Sequence, residues 1–288
     1  MSQPREIRVG LIGTGIGQSK SPMLHETEAA SQGLELSYEL IGLDARGLAP
    51  SALPTLLAEA EAAGFNGINI THPCKQRVIP LLDDLSEDAR QLGAVNTVVF
   101  REGRRTGHNT DWSGFMESFR RGLPDAAIDT VLQLGAGGAG AAVAHAALRM
   151  GVDRLLLSDV NVPQAKALAQ SLNRRADRDF AIVTTDLAEA AAKADGLINA
   201  TPIGMDAHPG LPLDPTLLAN QHWVADIVYF PIETALLSLA RSRGCRVLDG
   251  GGMAVFQAAG AFRLFTGREP DVERMLATFR AALAAEVP

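Results

Sequence analysis

The chain has 288 residues, 47% of them hydrophobic and 20% charged, with a formal net charge of -7. That length suits two domains with substantial cores, and the composition excludes a disordered or fibrous protein. The acidic balance argues against a nucleic-acid partner, and no apolar run approaches the roughly 20 residues of a membrane span, so a cytoplasmic protein is expected.

IRVGLIG reads as a first strand, too short an apolar run for a signal peptide. A helix is predicted over about residues 22–32, a strand at LSYELIGL, a helix over about 51–63 and a strand at GINIT. This βαβαβ rhythm implies a mostly parallel sheet with helices on its faces. AVNTVVF, the turn residues REGR and then RTGH read as a hairpin that closes the first unit near Asp111. A second rhythm follows: TVLQL, a helix to Met150, RLLLSDV, a helix over about 162–172, AIVTTD, an Ala-rich helix and GLINATP. It continues with HWVADIVY, a helix over about 232–243 and CRVLDGGG. Six strands with helical crossovers are the content of a doubly wound, Rossmann-type fold. From about Gly252 to Ala285 two amphipathic helices are expected to pack back on the first domain. The fold class is therefore α/β, with an N-terminal domain at residues 1–111, a dinucleotide-binding domain at 112–250 and C-terminal helices at 251–288. Cys74 and Cys245 match no metal or disulfide spacing, and no metal site is expected.

GAGGAG directly follows an apolar strand and opens a helix, so its backbone amides can approach a pyrophosphate at a helix N-terminus. Gly135, Gly137 and Gly140 occupy the three fingerprint positions. Asp159 ends the next strand, where a carboxylate can accept hydrogen bonds from an adenosine ribose; capping the following helix is its other ordinary use. A ribose phosphate there would meet like charge, at a cost of roughly 4 kcal/mol for charges about 4 Å apart at an effective dielectric of about 20. NAD is thus expected over NADP, although Arg174 and Arg175 further on keep NADP from being excluded.

Three polar segments fall at the ends of strands of the first domain: SKSP, NITHPCK and HNTD. Ser19, Ser21, Asn69, Thr71, Asn96 and Asn109 offer hydroxyls and amides suited to a small ligand bearing several hydroxyls and a carboxylate, and Lys75 and Asp111 add one charge of each sign. Singly, each is as well suited to a cap or turn, and Ser21 before Pro22 could cap the first helix. The six histidines match no metal or triad spacing.

These segments, with GAVNTV, NATPIGM, DIVY, LDGGGM and FQAAGAF, closely resemble the shikimate/quinate dehydrogenase family over nearly the whole chain. Asp159 makes the likeness greatest to the branch that uses NAD and accepts quinate as well as shikimate. The resemblance implies reversible oxidation of a ring hydroxyl, to 3-dehydroshikimate or 3-dehydroquinate, in aromatic amino acid biosynthesis or quinate catabolism, without a metal. It implies Lys75 and Asp111 as the catalytic pair, with Lys75 the general acid/base. Ser19 and Ser21 would hold the substrate carboxylate, Asn69, Thr71, Asn96 and Gln257 the ring hydroxyls, and Tyr229 would touch substrate from the cofactor domain. Cofactor contacts would come from Gly135, Gly137, Gly138, Ala139, Gly140, Asp159, Thr201, Pro202, Ile203, Val228, Gly250 and Met253. The NAD-using branch can carry Thr where this chain has Ser21, which opens the quinate/shikimate preference, and an Arg where it has Pro163 and Gln164, so weaker ribose contacts are expected. An aminoshikimate-type dehydrogenase and a non-catalytic ligand sensor are the alternative readings, and a homodimer is one assembly open to the chain.

Overall fold

The structure, a computed structural model, describes residues 6–285; the first five and last three residues of the domains assigned above lie outside the described residues. The chain divides into two compact units. The first runs to Thr110 and resumes at Val255; the second is Asp111–Ala254.

The first unit holds β1 (Ile7–Gly13), α1 (Ser21–Ser31), β2 (Leu36–Gly42), α2 (Leu53–Ala62), β3 (Gly67–Ile70), β4 (Asp84–Leu85), α3 (Glu87–Leu92), β5 (Thr97–Arg101) and β6 (Arg104–His108). Its sheet has the order β2-β1-β3-β5-β6-β4. β1 pairs parallel with β2 and β3, while β5 runs antiparallel to β3 and β6. The β5–β6 hairpin turns through Glu102 and Gly103, both at positive φ (54° and 71°), as a two-residue hairpin of matching twist requires. The short β4 and α3 had no counterpart in the sequence reading. α3 is bounded by local chemistry instead of periodicity: Ser86 accepts from the Ala89 N–H at its start, and Gly93 closes it at φ 63°. One sheet face packs Ile12, Ile68 and Val98 on Leu53 and Leu57 of α2. The other packs Val9, Leu11 and Tyr38 on Phe265 of the C-terminal tail. That tail consists of α9 (Gly251–Thr266), which straddles the division, and α10 (Val272–Ala284). Arg274 of α10 donates twice to the buried carboxylate of Glu28 in α1, at 2.8 and 2.9 Å.

The second unit holds α4 (Asp111–Gly122), β7 (Thr130–Leu134), α5 (Gly138–Met150), β8 (Arg154–Ser158), α6 (Val162–Ala176) and β9 (Ala181–Val183). It continues with α7 (Leu187–Lys193), β10 (Gly196–Asn199), β11 (Trp223–Asp226), α8 (Ala235–Ser242) and β12 (Arg246–Leu248). The strand order is β12-β11-β10-β7-β8-β9, with every neighbouring pair parallel. The chain builds outward from β7 through β9, then returns to β10 on the other side. That reversal opens a crevice beyond the carboxyl ends of β7 and β10, where such sheets bind ligands. Alternation along the strands divides the core: Val131, Leu155 and Leu157 pack under α5 and α6, whereas Leu132, Leu156 and Leu197 pack under α7 and α8. α4 was absent from the sequence reading, although Trp112, Phe115, Met116 and Phe119 carry an i, i+3, i+4, i+7 stripe that packs into the first of these layers. Among the described residues no helix is long and apolar enough to cross a membrane, and no group of His, Cys, Asp and Glu could hold a metal ion.

Candidate functional site

In the first unit, strand direction gathers the polar segments at one sheet edge. β1, β3 and β6 end there and β5 begins there, because Asn69 pairs with Thr97 and Thr97 with His108. Side-chain hydrogen bonds then lace the loops together. The Tyr38 hydroxyl donates to Asn69 Oδ1 at 2.8 Å, and Asn69 Nδ2 donates to Asn96 O and Thr97 Oγ1 at 3.2 and 3.0 Å. Both amide hydrogens of Asn69 are therefore committed inside the unit, so this residue positions Asn96 and keeps no donor for a ligand. Asn96 grips Thr110 on both sides, donating to its Oγ1 at 2.9 Å and accepting from its N–H at 2.8 Å. Asn109 Nδ2 donates to Ala94 O at 3.1 Å. The Lys75 carbonyl accepts from the Val95 N–H at 2.8 Å, which fixes the backbone of Lys75 beside Asn96.

The remaining candidates of this unit sit around the same edge. Thr71 lies over Gly13, where an added Cβ would come within 2.2 Å of its methyl. Ser19 and Ser21 are hydrogen-bonded to each other at 3.2 Å. Ser21 does not cap α1: it is the first helical residue, Lys20 occupies the cap position, and the Ser19 hydroxyl accepts the Ser21 N–H. A Cβ on Gly260 of α9 would meet Thr110 Cγ2 at 3.1 Å, and Gln257, three residues earlier, shares that helix face. His25, fully buried, is kept neutral by desolvation, which pushes its pKa down to about 3; it packs against Tyr38, Phe262 and Phe265.

In the second unit the glycine turn separates into packing and open positions. A Cβ on Gly135, whose φ is 100°, would lie 2.6 Å from Ala200 O, and one on Gly140 would lie 2.3 Å from Gly135 O. At Gly137 and Gly138 an added Cβ meets nothing within 4 Å, so that face of the turn is bare backbone at the start of α5. The site fits a dinucleotide: close packing holds the turn, and the exposed amides at the helix start suit a pyrophosphate. Asp159 receives the Ala136 N–H at 2.6 Å and the Asn161 N–H at 2.7 Å. It does not cap α6, because Asn161 does. Each of its oxygens keeps a lone pair for a ribose hydroxyl. Arg174 and Arg175 stand in the last turn of α6, about 18 Å along the helix axis from its start, and Arg175 donates to His145 and Ser171 O.

Asp226 was missed by the sequence reading and joins three segments of this unit. It is 2% exposed at the end of β11. Its Oδ1 accepts from Asn199 Nδ2 at 2.9 Å and from the Val228 N–H at 3.0 Å, and its Oδ2 from the Thr234 hydroxyl at 2.8 Å. Asn199 in turn accepts from the Thr201 N–H and hydroxyl and donates to Ile203 O. The segments carrying Thr201, Pro202, Ile203, Val228 and Tyr229 thus hang on one carboxylate. A Cβ on Gly250 would lie 2.5 Å from both Ile227 O and Val228 O, which brings that glycine against the same segment, while Met253 is buried in the core beneath α4 and α5. Desolvation of the hydroxyl, and after it the negative charge of Asp111, push the Tyr229 hydroxyl up although the residue as a whole is 39% exposed, so these two groups of the unit act on each other. Asp111, first residue of α4, is 6% exposed.

Burial pushes the Asp226 carboxyl up to about 6, against its three hydrogen bonds. The proton is then held more tightly folded than unfolded. The stability this group contributes is complete below about pH 4, falls as pH rises through about 6, and is constant above, a change of about 3 kcal/mol. Chemical denaturation of the wild type and Asp226→Asn across that window should show the difference between them shifting by about this amount in favour of the variant as pH rises. Parallel curves would refute the assignment.

A family model described as the shikimate dehydrogenase substrate binding domain matches residues 11–98, and one described as the shikimate 5'-dehydrogenase C-terminal domain matches residues 250–278. A Streptomyces avermitilis protein named shikimate dehydrogenase (NADP(+)) is 58% identical over 93% of each chain. One from Corynebacterium efficiens named quinate/shikimate dehydrogenase (NAD(+)) is 52% identical over 95% of this chain and 97% of its own. The solved quinate dehydrogenase from Corynebacterium glutamicum in complex with NAD is similar at a TM-score of 0.90 and 50% identity, over 96% of this chain and 99% of that one. The names of the relatives divide between the two cofactors.

Proposed function

The chain belongs to the shikimate dehydrogenase family, and from that premise we propose that it is an NAD-dependent quinate/shikimate dehydrogenase. The observation that carries the cofactor choice is Asp159, whose carboxylate braces the glycine turn and faces the ribose position with no cation at residues 160–165. A bound NAD supplies the hydride acceptor. The residues of this chain handle the other half of the reaction. Lys75 takes the proton of the reacting ring hydroxyl as its carbon gives up hydride, and returns it in the reverse direction, so that alcohol and NAD become ketone, NADH and a proton. Asp111 is the second member of the catalytic pair.

Ser19 and Ser21, adjacent in space, bind the ring carboxylate; Thr71, Asn96, Gln257 and Tyr229 select the ring hydroxyls, with Asn69 supporting Asn96. Gly135 and Gly140 shape the turn; Gly137, Gly138 and Ala139 receive the pyrophosphate, and Thr201, Pro202, Ile203, Val228, Gly250 and Met253 line the nicotinamide side. The first unit serves as substrate domain and the second as dinucleotide domain. Cytoplasmic residence and a homodimer complete the reading, the latter checked by light scattering.

Incubation of purified protein and NAD with quinate, shikimate or their amino analogues, with product identified by mass spectrometry, tests the substrate assignment. NADH with the 3-dehydro acid of either substrate is the expected result. Turnover of the amino compounds alone would replace it by the aminoshikimate reading, and ligand binding without any turnover would indicate a sensor.

A further inference from the structure

We propose that Gln164 is a positioning residue for the dinucleotide pyrophosphate, aiming the Gly137 N–H by holding the carbonyl on the other side of the same peptide. The inference rests on the dinucleotide-site reading above. Gln164 is the third residue of α6, and its backbone N–H donates to the capping side chain of Asn161 at 3.3 Å. A Gln in this place usually reaches back to accept the N–H of the cap residue. Here that N–H is held by Asp159 at 2.7 Å. The Gln164 amide turns instead to the glycine turn, where Nε2 donates to Ala136 O at 3.0 Å, while Asn161 Nδ2 donates to its Oε1 at 3.2 Å.

A trans peptide points its C=O and N–H in opposite directions. In the peptide joining Gly135 and Ala136 both ends are gripped by protein: Gln133 donates to Gly135 O at 2.8 Å and Asp159 accepts from the Ala136 N–H at 2.6 Å. In the next peptide Gln164 holds the Ala136 carbonyl, so the Gly137 N–H is directed away from α6, and at Gly137 an added Cβ would meet nothing within 4 Å. That amide is the kind of donor a phosphate oxygen takes at a helix start. Gln164 therefore acts on phosphate through the backbone of the turn.

Gln164→Met keeps the length and helix propensity of the side chain and removes the donor; Gln164→Glu also removes it and is favourable at a helix start. Binding of ADP-ribose and of adenosine is measured by calorimetry on the full-length protein, with steady-state kinetics in NAD. One neutral hydrogen bond corresponds to roughly a fivefold change in affinity. Gln164→Met should weaken ADP-ribose and raise KM for NAD by about that factor, and Gln164→Glu, which also sets a carboxylate against the Ala136 carbonyl, by at least as much, with adenosine binding and kcat of the Met variant moving less than about twofold. ADP-ribose affinity unchanged in variants of wild-type melting temperature, or equal losses for adenosine and ADP-ribose, would overturn the proposal. If the wild type binds no ADP-ribose, it is the dinucleotide reading itself that fails.

Discussion

Replacing Lys75 by methionine is expected to lower kcat by about a thousandfold or more while NAD binding is unchanged, because general acid/base groups contribute on the order of 10² to 10⁴. The substitution keeps the stem and removes the amine. The backbone of Lys75 is fixed by its carbonyl, which accepts from Val95, so the exchange leaves the loop in place. The glycine turn and Asp159 belong to the other unit, so cofactor affinity provides an internal control. Retention of more than a few percent of wild-type activity would remove Lys75 from the proton-transfer role.

Asp159→Asn should have the second largest effect, and it has two parts. The asparagine keeps one oxygen for the N–H groups of Ala136 and Asn161, which are both held now, so one donor is left facing an amide and NAD efficiency falls about tenfold. The same change removes the charge that opposes a ribose phosphate. At a partly exposed position, screening reduces the roughly 4 kcal/mol of unscreened repulsion to about 2 kcal/mol, so the NAD over NADP preference drops about thirtyfold. A preference ratio that moves by less than about threefold would show that the selectivity lies elsewhere. Gln133 and Gln164 still hold the turn in this variant, and with the opposing charge gone NADP activity rises in relative terms without approaching that of wild type with NAD.

How much of this was legible in the sequence depended on distance along the chain. The six strands of the second unit were readable because each is a short apolar run bounded by turn residues, and the glycine turn and Asp159 because the fingerprint lies within one βαβ segment. α3 and β4 were too short to show a period. α4 carried a clear apolar stripe, but lay between two strand rhythms that drew the division at its first residue. The Asp226 network was illegible for a different reason. Asn199 and Asp226 meet because β10 and β11 pair in a register that sets them opposite each other, which no local pattern reveals. The signal available was a carboxylate ending a fully apolar strand. Tyr38 reaches Asn69 across the intervening β1, so the internal commitment of Asn69 could not be seen from NITHPCK alone.

Relatives of this chain at 58% and 52% identity carry names with different cofactors, so the use of NAD is tested by comparing the two cofactors on this chain. The direct measurement is kcat/KM for NAD and for NADP at saturating shikimate, at physiological ionic strength. The account predicts efficient NADH formation and a preference for NAD of at least about thirtyfold, the factor corresponding to about 2 kcal/mol. Equal efficiency with the two cofactors, or a preference for NADP, would contradict it.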